Sequence, residues 1–345
     1  MVECAVREVE LSIPLERERL RVFLEKHGLR MEWGLEYAVS VVDSTERIIG
    51  CGCAEGNILK CFAIDKELRG ENLLGRLMTE LMKDRFAAGH DDLLLVTKPG
   101  NETIFGACGF YTVVRTGAAV LMENRPDGVQ RFLNGIPAPE SSDGEIGAVV
   151  MNANPMTKGH LHLIEYAAAH CGRLYVFVVQ EDRSAFPFAD RLALVRKGVE
   201  TLQNVTVCPS GPYMISNATF PAYFLKQEEV AGVQADMDVQ LFASIIAPRL
   251  GVRVRFVGQE PVDPVTAQYN EALKRLCPQN GIRLCEIQRC TLEDRTISAS
   301  VVRAELERCG GVNDTIRSMV PACTAAYLEE RFGTVERRAA AAGEN

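Results

Sequence analysis

An α/β protein of two domains is predicted, the second of them a doubly wound parallel sheet. The chain has 345 residues, long for a single domain. Over 124–144 the composition changes, and "PAPESSDG" reads as a linker. Beyond it the short β-branched runs "IGAVVMNA", "RLYVFVV", "VTVCPS", "VRVRFVG" and "IRLCEIQ" are mostly separated by helical stretches, and that alternation marks a parallel sheet covered on both faces. The expected division is a first domain over 1–123, a linker over 124–144, a second domain over 145–332, and a frayed tail over 333–345.

The first domain reads as follows. Pro14 to His27 forms a helix: proline sits at its start, Leu15, Leu20, Phe23 and Leu24 mark an apolar face, and Gly28 stops it. The run "ERERLR" is that helix's solvated face. Strands "YAVSVVD", "RIIGCGCAEG" and "ILKCFAID" follow, then a helix from about Asn72 to Ala88 and a strand "DLLLVTK". A short helical turn, "VQRFLNGI", leads into the linker. There are no internal repeats.

The second domain opens on "VVMNANPMTKGHLHLIEYA", an apolar strand, a turn, and a helix entered through His160. A helix N-terminus carries orphan N–H donors and partial positive charge, and so attracts phosphate. Gly159 lets backbone approach such a ligand, Thr157 offers a hydroxyl as cap or donor, Lys158 a mobile cation, and His160 a ring N–H. That set suits nucleotidyl transfer, in which charge at the α-phosphate needs preorganised donors more than a covalent catalyst. His162, His27, His90 and His170 read as surface or packing residues.

Composition narrows the class. With 47% hydrophobic and 24% charged residues, the chain reads as a soluble globular protein with a sizeable core. A formal net charge of −8 argues against nucleic-acid or anionic-membrane partners. No apolar run approaches the roughly 18 residues of a membrane span, and "MVECAVREVE" has no signal pattern, so a cytoplasmic protein is expected. The twelve cysteines include no CxxC pair and read as reduced, buried small hydrophobes.

Three resemblances extend this reading. "ILKCFAIDKELRGENLLGRLMTELMKD" resembles motif A of the GNAT acetyltransferase superfamily, and "VTKPGNETIFGACGFY" its following strand with the closing Gly109-Phe110. Where that family has small residues at the pyrophosphate turn this chain has Asn72 and Leu74, and Phe105 stands where many members have a tyrosine general acid. The departures imply a GNAT-like domain, kept for binding or packing, that does not catalyse acetyl transfer. "NPMTKGH" resembles the T/HxGH motif of class I nucleotidylyltransferases, filled by Thr157, Gly159 and His160. The second signature of that superfamily, ISxSxxR, is matched by Ile297 through Arg303. The pair implies a HUP (Rossmann-like) nucleotidylyltransferase domain, with Ser298, Ser300 and Arg303 on the β- and γ-phosphates of ATP.

Together with "EDRSAFPFADRLALVRKG", "YMISNATFPAYFLK" and "DVQLFASIIAPRLGVRVRFVGQEPVDPVTAQYN", the NANP form of the turn resembles the citrate lyase ligase family over nearly the whole chain. Met151 and Asn154 replace the Gly and Asp usual in members that adenylylate a phosphorylated acceptor. The resemblance implies activation of acetate by ATP to acetyl-adenylate with release of pyrophosphate. The acetyl group then passes to the thiol of the phosphoribosyl-dephospho-CoA group on the acyl carrier (gamma) subunit of citrate lyase. Catalytic roles fall to His160, Lys158, Thr157 and Arg303. ATP binding falls to Asn152, Asn154, Gly159, Gly258, Glu260, Ser298 and Ser300, of which Asn152, Asn154, Gly258 and Glu260 stand at predicted C-terminal strand ends. Tyr213, Ser216 and Thr219 fall on the acyl or thiol-arm side. Mg²⁺ arrives with ATP, and no tightly bound cofactor or resident metal is expected. Two other enzymes stay open: an adenylyltransferase of the pantetheine-phosphate type, and a GNAT acetyltransferase with a regulatory nucleotide-binding domain. So does a non-catalytic nucleotide-sensing or carrier-binding module.

Overall fold

The computed structural model describes residues 4–138, 144–181, 184–214, 220–259, 264–288, 291–292 and 295–335. The chain divides into two compact units, Met1–Arg131 with Phe220–Met237, and Phe132–Thr219 with Asp238–Asn345.

In the first unit β1 (Cys4–Glu8) leads to α1 (Pro14–Lys26), then to β2 (Tyr37–Asp43), β3 (Ile48–Glu55) and β4 (Ile58–Ile64). Next come α2 (Leu73–Ala87), β5 (Leu94–Thr97), α3 (Glu102–Ala107), β6 (Tyr111–Arg115) and β7 (Val120–Glu123). The sheet runs β1-β2-β3-β4-β5-β7-β6. Only β4 and β5 are parallel neighbours, joined by the α2 crossover, the strand–helix–strand unit read from the sequence. The predicted strands correspond to β2 to β5. β1, which the predicted strands did not include, is an edge strand with no fully buried residue and so lacks an apolar signature.

Helix α1 buries Leu20, Phe23 and Leu24 against this sheet. Leu15, expected on the same face, is 68% exposed. Five residues at 3.6 per turn place it about 140° round the helix from Leu20. The charged run is a surface ladder as expected, with Arg19 bonded to Glu16 and Arg21 to Glu18 and Glu25. Phe105 is 3% exposed and meets Phe62 edge-on at 5.2 Å. Leu74 packs on the same core.

Strands β4 and β5 pair only at Ile58–Leu94 and Leu59–Leu95. Beside the unpaired remainder lies the segment from Phe220. Arg30 N–H donates to Tyr223 O at 2.8 Å, and Ala222 N–H donates to Glu32 Oε1 at 2.6 Å. The Tyr223 hydroxyl donates to Val96 O of β5 at 3.4 Å, and Cys61 of β4 lies within electrostatic reach of that phenol. Tyr223 is 4% exposed, and burial pushes its phenol well up. The contiguous second domain expected from sequence is therefore interrupted. Phe220, Ala222, Tyr223 and Phe224 find their apolar cover in the first unit.

Between β7 and the next strand lies α4 (Gly128–Asn134), the predicted helical turn. The second unit then runs β8 (Ile146–Met151), α5 (Lys158–Ala169), β9 (Arg173–Val178), α6 (Phe188–Gly198) and β10 (Val205–Pro209). After α7 (Val230–Leu241) and α8 (Ala247–Leu250) come β11 (Val252–Gly258), α9 (Pro264–Gln279) and β12 (Arg283–Ile287). A two-stranded ribbon, β13 (Thr291–Leu292) and β14 (Arg295–Thr296), precedes α10 (Ala299–Cys309), α11 (Asp314–Met319) and α12 (Ala322–Phe332).

The five predicted runs form one wholly parallel sheet, β10-β9-β8-β11-β12. Strand order reverses between β8 and β11, so the crevice at their C-terminal ends is where a doubly wound sheet takes a ligand. One core packs Val149, Ile164, Val176, Leu194, Val254 and Phe256 across sheet and helices. A second gathers Phe186, Ile297, Val302, Leu306, Ile316 and Leu328. One expectation needs correction: the helical run Gln227–Leu250, 24 residues long with a most apolar window of mean hydropathy 1.2, is long and apolar enough by length and composition to cross a membrane. Over its most apolar window 56% is buried within the protein, as expected of a core helix.

Candidate functional site

Strand β8 ends at Met151, itself buried, and the chain turns through residues 152–157 into α5. Ala153 holds a left-handed backbone, φ +49°, a conformation that an L side chain adopts only where its surroundings impose it. Thr157, 1% exposed, caps α5 by accepting from His160 N–H at 3.4 Å. In return His160 Nδ1 accepts from Thr157 N–H at 3.0 Å. That reciprocal capping box settles the ring's tautomer: with Nδ1 an acceptor, Nε2 carries the proton and is a donor. His160 is half-buried and Lys158 is exposed on the first turn of the same helix.

The second motif starts another helix. Ser298 caps α10 by accepting from Val301 N–H at 3.3 Å, and its Oγ lies 2.9 Å from that of Ser300. Arg303, one turn on, donates to Asn154 O. A Cβ built on Gly159 would stand 3.2 Å from Ile297 O. The glycine expected to admit a ligand thus also lets the backbones of the two motifs approach each other. The structure brings Thr157, Gly159, His160 and Asn154 together with Ser298 and Arg303, at two helix N-termini whose caps, Thr157 and Ser298, are 141 residues apart in sequence.

The neighbouring asparagines have other work. Asn154 Oδ1 accepts from Phe186 N–H at 3.1 Å. Asn152 Oδ1 accepts from Arg191 at 2.6 Å, and its Nδ2 donates to Glu181 at 3.0 Å and Ser184 at 3.2 Å. Both ends of the Asn152 amide are therefore engaged within the protein. Gly258, at the C-terminal end of β11, has open space where a Cβ would stand, and its carbonyl accepts from Asn270 at 3.1 Å. Tyr213 is 3% exposed with its ring 5.3 Å from that of Phe132, a core position. Glu260, Ser216 and Thr219 lie outside the described residues. His162 and His170 are exposed, with His170 stacked on Tyr166 at 4.0 Å. Among the described residues no group of three or more His, Cys, Asp or Glu is placed to hold a metal.

Sequence reasoning missed Arg191, which is 0% exposed. The signal was present: it stands three and four residues before Leu194 and Val195, both buried, and so shares the apolar face of α6. A charge on such a face needs an internal explanation.

A family model described as "Citrate lyase ligase C-terminal domain" matches residues 146–328. The chain is 40% identical over 318 residues to a [Citrate [pro-3S]-lyase] ligase of Klebsiella pneumoniae, covering 90% of this chain and 92% of that one. It is 39% identical over 328 residues to the protein of the same name from Escherichia coli K12, covering 92% of each. Among solved structures, a GNAT-family acetyltransferase of Staphylococcus aureus Mu50 aligns with 35% of this chain and 98% of its own, at 11% identity and a TM-score of 0.30.

Proposed function

Since the chain belongs to the citrate lyase ligase family, we propose that it is the ligase that activates citrate lyase by acetylation, with acetyl-adenylate as intermediate. A carboxylate oxygen of acetate attacks the α-phosphorus of Mg·ATP, the bond to the β-phosphate oxygen breaks, and pyrophosphate leaves. The carrier's thiol then attacks the acetyl carbon, AMP departs, and the thiol proton goes to solvent. Acetate is itself the nucleophile, so the first step requires no general base. What it requires is in-line placement and neutralised charge.

The meeting of the two motifs carries this reading. Two helix N-termini in contact, at Gly159 with Ile297 and at Asn154 with Arg303, offer donors to phosphates on either side of one scissile bond. His160 Nε2–H and Lys158 act on the α-phosphate, Thr157 fixes His160, and Ser298, Ser300 and Arg303 hold the leaving pyrophosphate. The donor set is cationic and hydroxylic, so Mg²⁺ enters as part of the nucleotide rather than on a protein cage. The acceptor is the phosphoribosyl-dephospho-CoA thiol of the acyl carrier subunit, and the reaction belongs in the cytoplasm.

The GNAT-like unit has no acetyltransferase role in this scheme. Phe105 has no proton to donate, Leu74 is spent on packing, and Tyr223 lies where β4 and β5 part.

ATP–pyrophosphate exchange tests the proposal. Exchange is expected to require acetate. Exchange that needs a phosphorylated acceptor instead would replace this reading by an adenylyltransferase of the pantetheine-phosphate type, and no exchange with either acceptor would remove the catalytic reading.

A further inference from the structure

We propose that Arg191 is the positioning residue that holds the two phosphate-binding helix starts in register, an assignment resting on the acid-activating reading above. Its guanidinium is wholly buried in α6, where an apolar residue beside Leu194 and Val195 would fill the face with no charge to desolvate. The hydrogen bonds it makes explain its presence. Nη1 donates to Asn152 O at 2.7 Å, Asn152 Oδ1 at 2.6 Å and Val179 O at 2.9 Å. Nη2 donates to Glu181 O at 2.7 Å, and Nε donates to Phe186 O at 3.0 Å.

Those oxygens belong to three separate pieces of the site. Asn152 is the first residue beyond β8, where the turn of the first motif begins. Val179 and Glu181 continue β9. Phe186 sits in the loop before α6, and it is the link to the second motif. Its N–H donates to Asn154 Oδ1, and its ring packs with Ile297 and Val302. One planar fork thus ties the end of β8, the end of β9 and the seat of α10 together. An ammonium group lacks the fixed, diverging donors to do so.

The hydrogen bonds above reach Asn152, Val179, Glu181 and Phe186 rather than the positions assigned to phosphate, so Arg191 acts through Asn152 and Phe186. Loosening it lets the two helix starts drift relative to each other, while each keeps its own donors. Ground-state hold on ATP then survives, and in-line alignment does not.

The test uses the full-length chain, with acetate-dependent exchange, KM for ATP, calorimetric Mg·ATP affinity and far-UV circular dichroism. Arg191→Lys is expected to lower kcat on the order of 10²-fold. KM for ATP and the Mg·ATP affinity should stay within about threefold. A purely structural role would make activity track the folded fraction, and kcat per folded molecule within about twofold of wild type would overturn the proposal. Should R191K not fold, Phe186→Leu keeps the backbone bonds to Arg191 and Asn154 but shifts the seat of Ile297. The same kcat–KM split is expected there, and an unchanged kcat overturns the proposal equally. Absence of acetate-dependent exchange in wild type counts against the acid-activating reading alone, and the split is then read with whichever acceptor supports exchange.

Discussion

At the residue scale the proposed chemistry turns on which nitrogen of His160 holds its proton. Thr157 N–H fixes Nδ1 as an acceptor, so Nε2 carries the proton, the one that the proposed mechanism directs at the α-phosphate. Loss of one preorganised donor of this kind costs about 10²–10³ in rate. His160→Ala should therefore reduce acetate-dependent exchange by that factor and leave ATP affinity, measured by calorimetry, comparatively unaffected. A near-normal rate would put the reacting phosphate elsewhere. That Thr157, Gly159, His160, Ser298 and Arg303 stand at two helix starts was legible in the sequence because each motif is a local pattern. Arg191 and the packing reason for Gly159 were not, since their partners lie at residues 152, 179, 181, 186 and 297 and only the fold brings these near.

At the element scale, the helix starts and the parallel sheet were legible, because caps and β-branched runs are local signals. How α10 is anchored at its far end was not. Its last turn carries Glu305, which accepts from Asn313 at 2.7 Å and from Arg308 at 2.8 Å. Chiefly through Arg308, and then Asn313, these bonds hold the Glu305 carboxyl down at about 2. The folded value lies below the ordinary carboxylate value of about 4.3, so the stabilisation is fully present above that pH. It is lost as pH falls through about 2. Melting curves from pH 7 to 2 should show wild type losing its advantage over Glu305→Gln across that acid window. A constant difference at all pH values would mean that the carboxylate contributes nothing through its charge.

At the scale of the whole molecule, the two-domain division was legible in the linker and the change of pattern, but the crossing of Phe220–Met237 into the first unit was not. The bonds that seat it join residues such as Arg30 to Tyr223, about 190 positions apart, and "FPAYF" reads equally well as local core. Tyr223 fills a wholly buried place, so Tyr223→Ala should cost about 3–5 kcal/mol in urea unfolding of the full chain. A cost below about 1 kcal/mol, in the range of ordinary surface substitutions, would mean that the segment rests on the unit without stabilising it. Cutting the chain after Glu123 would likewise strip Phe220, Tyr223 and Phe224 of their cover, so solubility and exchange of the remaining fragment are expected to fall together.

The seat of Tyr223 also bears on how the chain is made. The ribosome finishes β7 at Glu123, yet the segment that closes the side of β5 is not synthesised until Met237. At roughly 5–20 residues per second that interval lasts on the order of ten seconds. Throughout it the nascent first unit keeps the edge of β5 at Val96 open, an edge of the kind to which stray strands pair. The unit translated first is thus completed only after the opening part of the second, Phe132–Thr219, has been made, so synthesis of the two units overlaps rather than running one after the other.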